Sequence, residues 1–349
     1  MKALIIHNPI AGSRIADDEL DRTAAFLCRE GWDVLGIEQT RGPGDATTYA
    51  RKAVADGCAA VFVAGGDGTI AQTVDGLVDT TTALAVLPGG TGNVLARQLN
   101  LPLPGGLHPH PLVESARLAH EGLIRRVDVG RVHPRGSETP TRHFLCWSGV
   151  GFDAEVNRTV NLDQGRKKRL GVGAATLTAF GALRTYAGTA AIVRVDGHRV
   201  SRRLILLEAN NIQLYGVFFR MAPRAVLDDG WLDIYCFQGT GPIRTLIHAL
   251  RLALNRHIQD PKVESYRARS IEVRTYRTLP VHVDGDYFGQ TPVVIEVVPR
   301  AVNLMVPRST PASLFVDGTG MLPTETTWEW MLRMARDAQI AIKWRTGIA

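Results

Sequence analysis

The first part of the chain shows two hydrophobic rhythms in turn. Short, continuous apolar runs fall at residues 3–6, 32–37, 59–64 and 84–87. Between them, residues 17–30, 45–55, 69–78 and 92–99 read as helices, with Leu20, Ala24 and Leu27 on one face of the first. Strands that are apolar throughout are buried on both sides, and alternation with helices supplies the cover. The pattern predicts an α/β domain built on a parallel sheet.

After about Arg126 the texture changes. Valine-rich alternating stretches at 190–195, 203–209, 232–237, 270–275 and 293–298 predict a mainly antiparallel β-sandwich domain. Asp196-Gly197 between two of them is a hairpin-turn signal. Two helices are expected to interrupt it. One covers 170–185, behind the basic run Arg166-Lys167-Lys168-Arg169. In the other, Ile243, Leu246, Ile247, Leu250 and Leu254 form an apolar stripe, with Arg244, His248 and Arg251 on the opposite side. Residues 309–326 read as a linker, and 327–344 as a terminal amphipathic helix bearing Trp328, Met331 and Leu332. The expected division is 1–128, 129–300, and a 301–349 segment that returns to the first domain.

Composition adds little beyond exclusion. The 349 residues are 45% hydrophobic and 21% charged, which excludes disorder, collagen and coiled coil as whole-chain readings. No uncharged apolar run approaches a membrane span, and the opening residues read as a strand, not a signal peptide. Cys28, Cys58, Cys146 and Cys236 form no C-x-x-C pair and are expected as buried small hydrophobes in a reducing compartment.

Charge changes the picture more. Residues 1–128 carry 11 Lys and Arg against 15 Asp and Glu, a net −4. The remainder carries 29 against 19, a net +10. A basic second domain suggests an anionic partner, either nucleic acid or an anionic membrane surface. No recognised motif with interleaved aromatics supports nucleic acid.

The chemistry is concentrated in glycine turns. Gly65-Gly66-Asp67-Gly68-Thr69 follows a strand and opens a helix. Glycines let the backbone approach a ligand closely, and helix-start amides face an anion, so this is a phosphate site. Pro88-Gly89-Gly90-Thr91-Gly92-Asn93 and Asn8-Pro9-Ile10-Ala11-Gly12 also follow strands. In a parallel sheet all three turns lie on one edge and can converge on one nucleotide. The acidic residue that a dinucleotide fold needs is absent between Asp79 and Glu114, and no Gly-Lys pair supplies a Walker loop.

These turns resemble the diacylglycerol kinase catalytic-domain family. The resemblance continues through Arg126-Val127-Asp128-Val129-Gly130, Gly149-Val150-Gly151-Phe152-Asp153, Asp228-Asp229-Gly230-Trp231 and Val283-Asp284-Gly285-Asp286. It implies an ATP-dependent kinase acting on a lipid hydroxyl, such as that of diacylglycerol or a sphingoid base. It puts ATP against Asn8, Pro9, Ile10, Ala11, Gly12, Thr40, Gly65, Gly66, Asp67, Gly68, Thr69, Ile70, Ala71 and Thr91. Asp67 and Asp128 are implied in the Mg²⁺ network, although Val94 stands where many relatives carry an aspartate. Asp286 is implied as general base, in place of the family's glutamate. Val226, Asp229 and Trp231 match a second metal site, two of them through main-chain carbonyls. The lipid is expected against residues 171–186 and the apolar stretch 214–221. The implied setting is cytoplasmic, peripheral at an inner membrane face, and a homodimer is one expected assembly. A soluble kinase of the NAD kinase type and a non-catalytic nucleotide- or lipid-binding protein stay open as alternatives.

Overall fold

The computed structural model describes residues 1–12, 15, 17–105, 108–136, 140–162, 188–217 and 219–317. The expected helices over 170–185 and 327–344 and the basic run at 166–169 lie outside these residues.

The first domain runs β1 (Lys2–His7), α1 (Asp17–Arg29), β2 (Asp33–Gln39), α2 (Asp45–Ala55), β3 (Ala60–Gly65), α3 (Asp67–Leu77), β4 (Ala83–Pro88), α4 (Val94–Gln98) and α5 (Pro111–His120). Its sheet pairs β2, β1, β3 and β4 in that order, all parallel. The strand period of two divides its residues between two cores. Leu4, Ile6, Val61, Val63, Leu84 and Val86 pack on one face. Ala3, Ile5, Phe62, Ala85 and Leu87 pack on the other, under α1 and α5. Burial on both faces is why these strands read as unbroken apolar runs. The helix expected over 92–99 is shorter than its pattern, and α5 follows as a separate helix with Pro111 at its start.

The second domain adds β5 (Leu123–Pro134), β6 (Arg142–Phe144), β7 (Trp147–Gly151), α6 (Phe152–Leu162), β8 (Thr189–Val195), β9 (His198–Asn210), β10 (Leu232–Gln238), α7 (Gly241–Ala253), β11 (Val263–Ala268), β12 (Ser270–Thr275), β13 (Pro280–Val283), β14 (Asp286–Gln290) and β15 (Val293–Val306). It is mainly antiparallel, with strand order β14-β13-β7-β9-β8-β12-β15 and with β10 and β11 branching from β9. Asp196 and Gly197 take φ of 47° and 86°, as a two-residue turn between β8 and β9 requires.

β15 belongs to both domains. Its first half pairs antiparallel with β12. Its second half lies parallel to β4 at Asn303 and Leu304 and completes the first sheet. β5 runs beside it along its whole length, so the sequence division at 128 falls inside a continuous strand. One expectation is corrected, and one left open is settled. Cys28 is exposed, since α1 turns Leu27 inward and its neighbour out, whereas Cys58, Cys146 and Cys236 are buried. The apolar stripe of α7 faces solvent, while its Thr245 and His248 are buried.

Candidate active site

The three glycine turns meet at the carboxyl ends of β1, β3 and β4. Asn8 donates its main-chain N–H to Ala64 O at 2.9 Å, and Gly89 donates to Gly65 O at 2.8 Å. The Asn8 side chain donates to Thr69 Oγ1 at 2.8 Å, tying the first turn to the second. Approach is so close that glycine is required. A Cβ on Gly12 would stand 1.9 Å from Thr91 Oγ1, and one on Gly90 would stand 2.5 Å from Gly66 Cα. Thr40 joins the same edge through its N–H to His7 O at 2.8 Å. Ile10 is exposed, whereas Ile70 and Ala71 send their side chains into the core, leaving only their backbone on this edge.

Gly66 caps α3 in an extended conformation, with no side chain on the first-turn amides. Such amides, helped by the helix dipole, suit an anion. Asp67 meets only its own N–H among them and turns the rest of its carboxylate outward. Its Oδ1 accepts the N–H of Val94 at 2.8 Å and of Leu95 at 3.4 Å, so it caps α4 across the cleft. Burial raises the Asp67 pKa, and the surrounding amides oppose that shift. Val94, at the position where many relatives have an aspartate, is buried in the core.

A second carboxylate arrives from the other domain. Asp284 and Gly285 form the tight turn between β13 and β14, both with positive φ. Asp284 is buried and accepts N–H bonds from Leu145, Cys146 and Trp147 at 3.0, 3.0 and 2.9 Å. Burial pushes its pKa up to about 7 against the pull of those amides. This anchor delivers Asp286, half-buried, to α3: a Cβ on Gly68 would lie 3.2 Å from Asp286 Oδ2. Arg142 of β6 stands 3.9 Å from the same oxygen. β6 is held by Asp75 of α3, which accepts the N–H of His143 at 2.9 Å.

Beneath this turn lies a buried group that the sequence did not single out. His282 Nε2 donates to Asp153 Oδ2, and the Tyr215 hydroxyl donates to the same oxygen at 2.9 Å. Glu208 Oε1 is 3.7 Å from His282. Burial alone would lower the His282 pKa, but the charge and hydrogen bond of Asp153, with Glu208, raise it to about 10. Burial raises Asp153, yet His282, Glu208 and Tyr215 outweigh it and bring it to about 2. Burial and the Asp153 charge push Glu208 well above the usual range. The result is an imidazolium–carboxylate pair, with Glu208 beside it pushed toward its protonated form. Gly285 N–H lies 3.3 Å from His282 Nδ1, which on a doubly protonated ring is a close approach and not an accepted bond. Gly149 leaves room for the group, since a Cβ there would lie 2.3–2.5 Å from all three side chains.

Asp128 and Asp229 form a separate cluster. Asp128 is fully buried, and its two oxygens accept the N–H of Arg300 at 2.7 Å and of Gly230 at 2.6 Å. Burial raises its pKa. The structure thus gives Asp128 backbone amides as partners, one of them on the 228–231 turn. Asp229 accepts the Trp231 N–H at 2.9 Å and forms an ion pair with Arg267. Val226 lies on the same turn.

Comparison with known proteins places this architecture. Residues 2–132 match the diacylglycerol kinase catalytic domain, and residues 148–306 match the YegS C-terminal NAD kinase beta sandwich-like domain. A diacylglycerol kinase of Mycobacterium tuberculosis is 29% identical over 310 residues, 88% of this chain and 96% of its own. One of Bacillus subtilis is 26% identical over 310 residues, 88% of this chain and 97% of its own. A crystal structure of a diacylglycerol kinase from Bacillus anthracis superposes with a TM-score of 0.68 at 26% identity, covering 88% of this chain and 98% of that one. Through both of its domains, and over 88% of its length, the chain is similar to the diacylglycerol kinase catalytic-domain family.

Proposed function

We propose that this protein is an ATP- and Mg²⁺-dependent lipid kinase that transfers the γ-phosphoryl group to a lipid hydroxyl, of diacylglycerol or a similar lipid. The reading is carried by one observation: a carboxylate of the second domain, Asp286, faces Gly68 at the start of α3, in the turn built for phosphate.

The glycine turns fit ATP, because Gly12, Gly66 and Gly90 let the three turns close on one another, so that their backbones converge at the start of α3, where Gly66 puts no side chain on the helix amides. Oxygen donors of Mg²⁺ type stand close by in Asp67 and Asp286. When bound, the ion would neutralise phosphate charge beside Asp67. The remaining work belongs to the chain. The amides of the three turns hold the triphosphate, and Asp286 accepts the proton of the attacking hydroxyl. Arg142, with a buried Nη2 that makes no hydrogen bond to the described residues, is placed to meet charge on the transferring group. The basic second domain suits an acceptor at an anionic membrane. Among the described residues no helix is long and apolar enough to cross a bilayer.

The test uses labelled ATP, Mg²⁺ and a fractionated membrane lipid extract, with identification of the labelled lipid. Asp286→Ala is expected to abolish labelling while ATP binding, followed by calorimetry, persists. Near-normal turnover in that variant overturns the assignment of the base.

A further inference from the structure

α7 is amphipathic in the wrong sense for a helix that closes a core. Ile243, Leu246, Ile247, Leu250, Leu254 and Ile258 are all exposed, Ile243 at 76% and Leu250 at 59%. Its inward side is polar. Thr245 is buried, and the His248 ring Nε2 meets Gln238 O at 2.9 Å. Arg244 binds the buried Asp260 at 2.5 Å, and Arg251 lies 3.4 Å from the same carboxylate. Packing therefore spends the polar residues, with Leu252 as the aliphatic exception against the core, and leaves those six aliphatic residues outside. A contiguous exposed patch of this kind marks an interaction site.

The charges around the patch say what covers it. From 239 to 263 the chain carries four cations, Arg244, Arg251, Arg256 and Lys262, and one acid, Asp260. That acid is 2% exposed and already bound, whereas Arg256 and Lys262 are exposed. Over 239–263 the surface presented is aliphatic with a cationic rim and no exposed carboxylate, and the neighbouring Glu264 is already paired with Arg202. A second copy of the chain would fit poorly, because a two-fold interface sets this patch against itself, rim cation against rim cation. An apolar face with a basic border matches the interface of an anionic bilayer, where aliphatic side chains enter the acyl boundary and cations meet phosphate headgroups.

The sheet register locates the patch. β9 pairs Asn210 with Trp147 at one end and Leu206 with Gly151 at the other. The Asp284 turn lies at the Trp147 end, through the N–H of Trp147. α7 follows Gln238, which pairs with Leu204 at the opposite end. The patch is therefore at the pole of the second domain remote from the glycine turns.

We propose that the outer face of α7, with Arg256 and Lys262, docks the protein onto an anionic lipid bilayer. The surface stands on its own residues and does not rest on the kinase reading. The test is co-sedimentation with vesicles of equal parts phosphatidylcholine and phosphatidylglycerol, beside vesicles of phosphatidylcholine alone. The wild-type chain is expected to bind the mixed vesicles more tightly. Leu246→Glu/Leu250→Glu is expected to weaken that binding by about tenfold or more, without lowering the melting temperature, since both positions face solvent. Arg256→Glu/Lys262→Glu is expected to remove the preference for phosphatidylglycerol and its salt sensitivity. Turnover on detergent-dispersed lipid should be unchanged in both variants, which separates docking from catalysis. Equal sedimentation of wild type and the leucine variant overturns the proposal. So does a wild-type dimer, by light scattering, that the leucine variant turns into a monomer, since the face would then belong to self-association.

Discussion

At the residue scale, Arg142 carries the sharpest consequence. It meets Asp286 from a strand that Asp75 pins to α3, so its position is set by the first domain although it belongs to the second. Arg142→Ala is expected to lower kcat by about ten- to a hundredfold, with a small change in KM for ATP and in melting temperature. Steady-state kinetics beside a thermal melt checks this, and an unchanged kcat removes Arg142 from the site. Arg142 could not be found from the sequence, because it sits next to a short polar connection where no spacing marks it. The glycines could be found, since a phosphate-binding backbone turn needs them at fixed offsets. Asp67 was legible as a site residue but not as the cap of α4, because that contact joins two turns that the sequence only lists in order.

At the element scale, the β13–β14 hairpin is the part that presents the base. It is held from below by His282 and from behind by Asp284, both buried. The pair of His282 and Asp153 has a pH signature. His282 is raised from 6.5 to about 10, so its contribution to stability is complete below about 6.5 and is lost as pH rises through about 10. Glu208 is raised too, and adds a loss of the same sign as pH rises. Asp153 is lowered from 3.8 to about 2, so its share is lost only as pH falls through about 2. His282→Gln is expected to cost about 3–5 kcal/mol near pH 6, because it leaves a buried carboxylate unpaired. Urea unfolding from pH 6 to 10 should show the gap between wild type and variant closing. A gap that stays constant refutes the charged pair. His282 lies within an alternating strand, where a polar residue at an inward position reads as noise. Its partners come from α6, β9 and the segment at Tyr215, far away in sequence, which periodicity does not join. α7 shows the complementary limit. Spacing revealed the stripe, but a helical period defines a face without saying whether protein or solvent lies against it.

At the scale of the whole molecule, both sheets share the β5–β15 ribbon. Its pairing shifts register between Val298 and Val302, and Arg300 there takes a φ of 48°. Asp128 closes this irregularity by accepting the N–H groups of Arg300 and Gly230. Asp128→Ala would leave two inward-facing amides without an acceptor, at about 1–3 kcal/mol each. Amide exchange is expected to rise first at Arg300 and Gly230, ahead of the rest of the ribbon. Exchange that rises evenly along β5 and β15 would show that Asp128 holds nothing local. The two-domain order was readable from the change of rhythm near Arg126. The shared strand was not, since β15 looks like any other valine-rich stretch until its two halves find different partners.

That shared ribbon also constrains distance. Domains joined by a loose tether can settle at many distances, but here one strand belongs to both sheets and β5 follows it throughout. The spacing between the glycine turns and the β13–β14 hairpin is therefore measured out along continuous backbone, and a length change in this ribbon would shift the base against the phosphate turn without altering either.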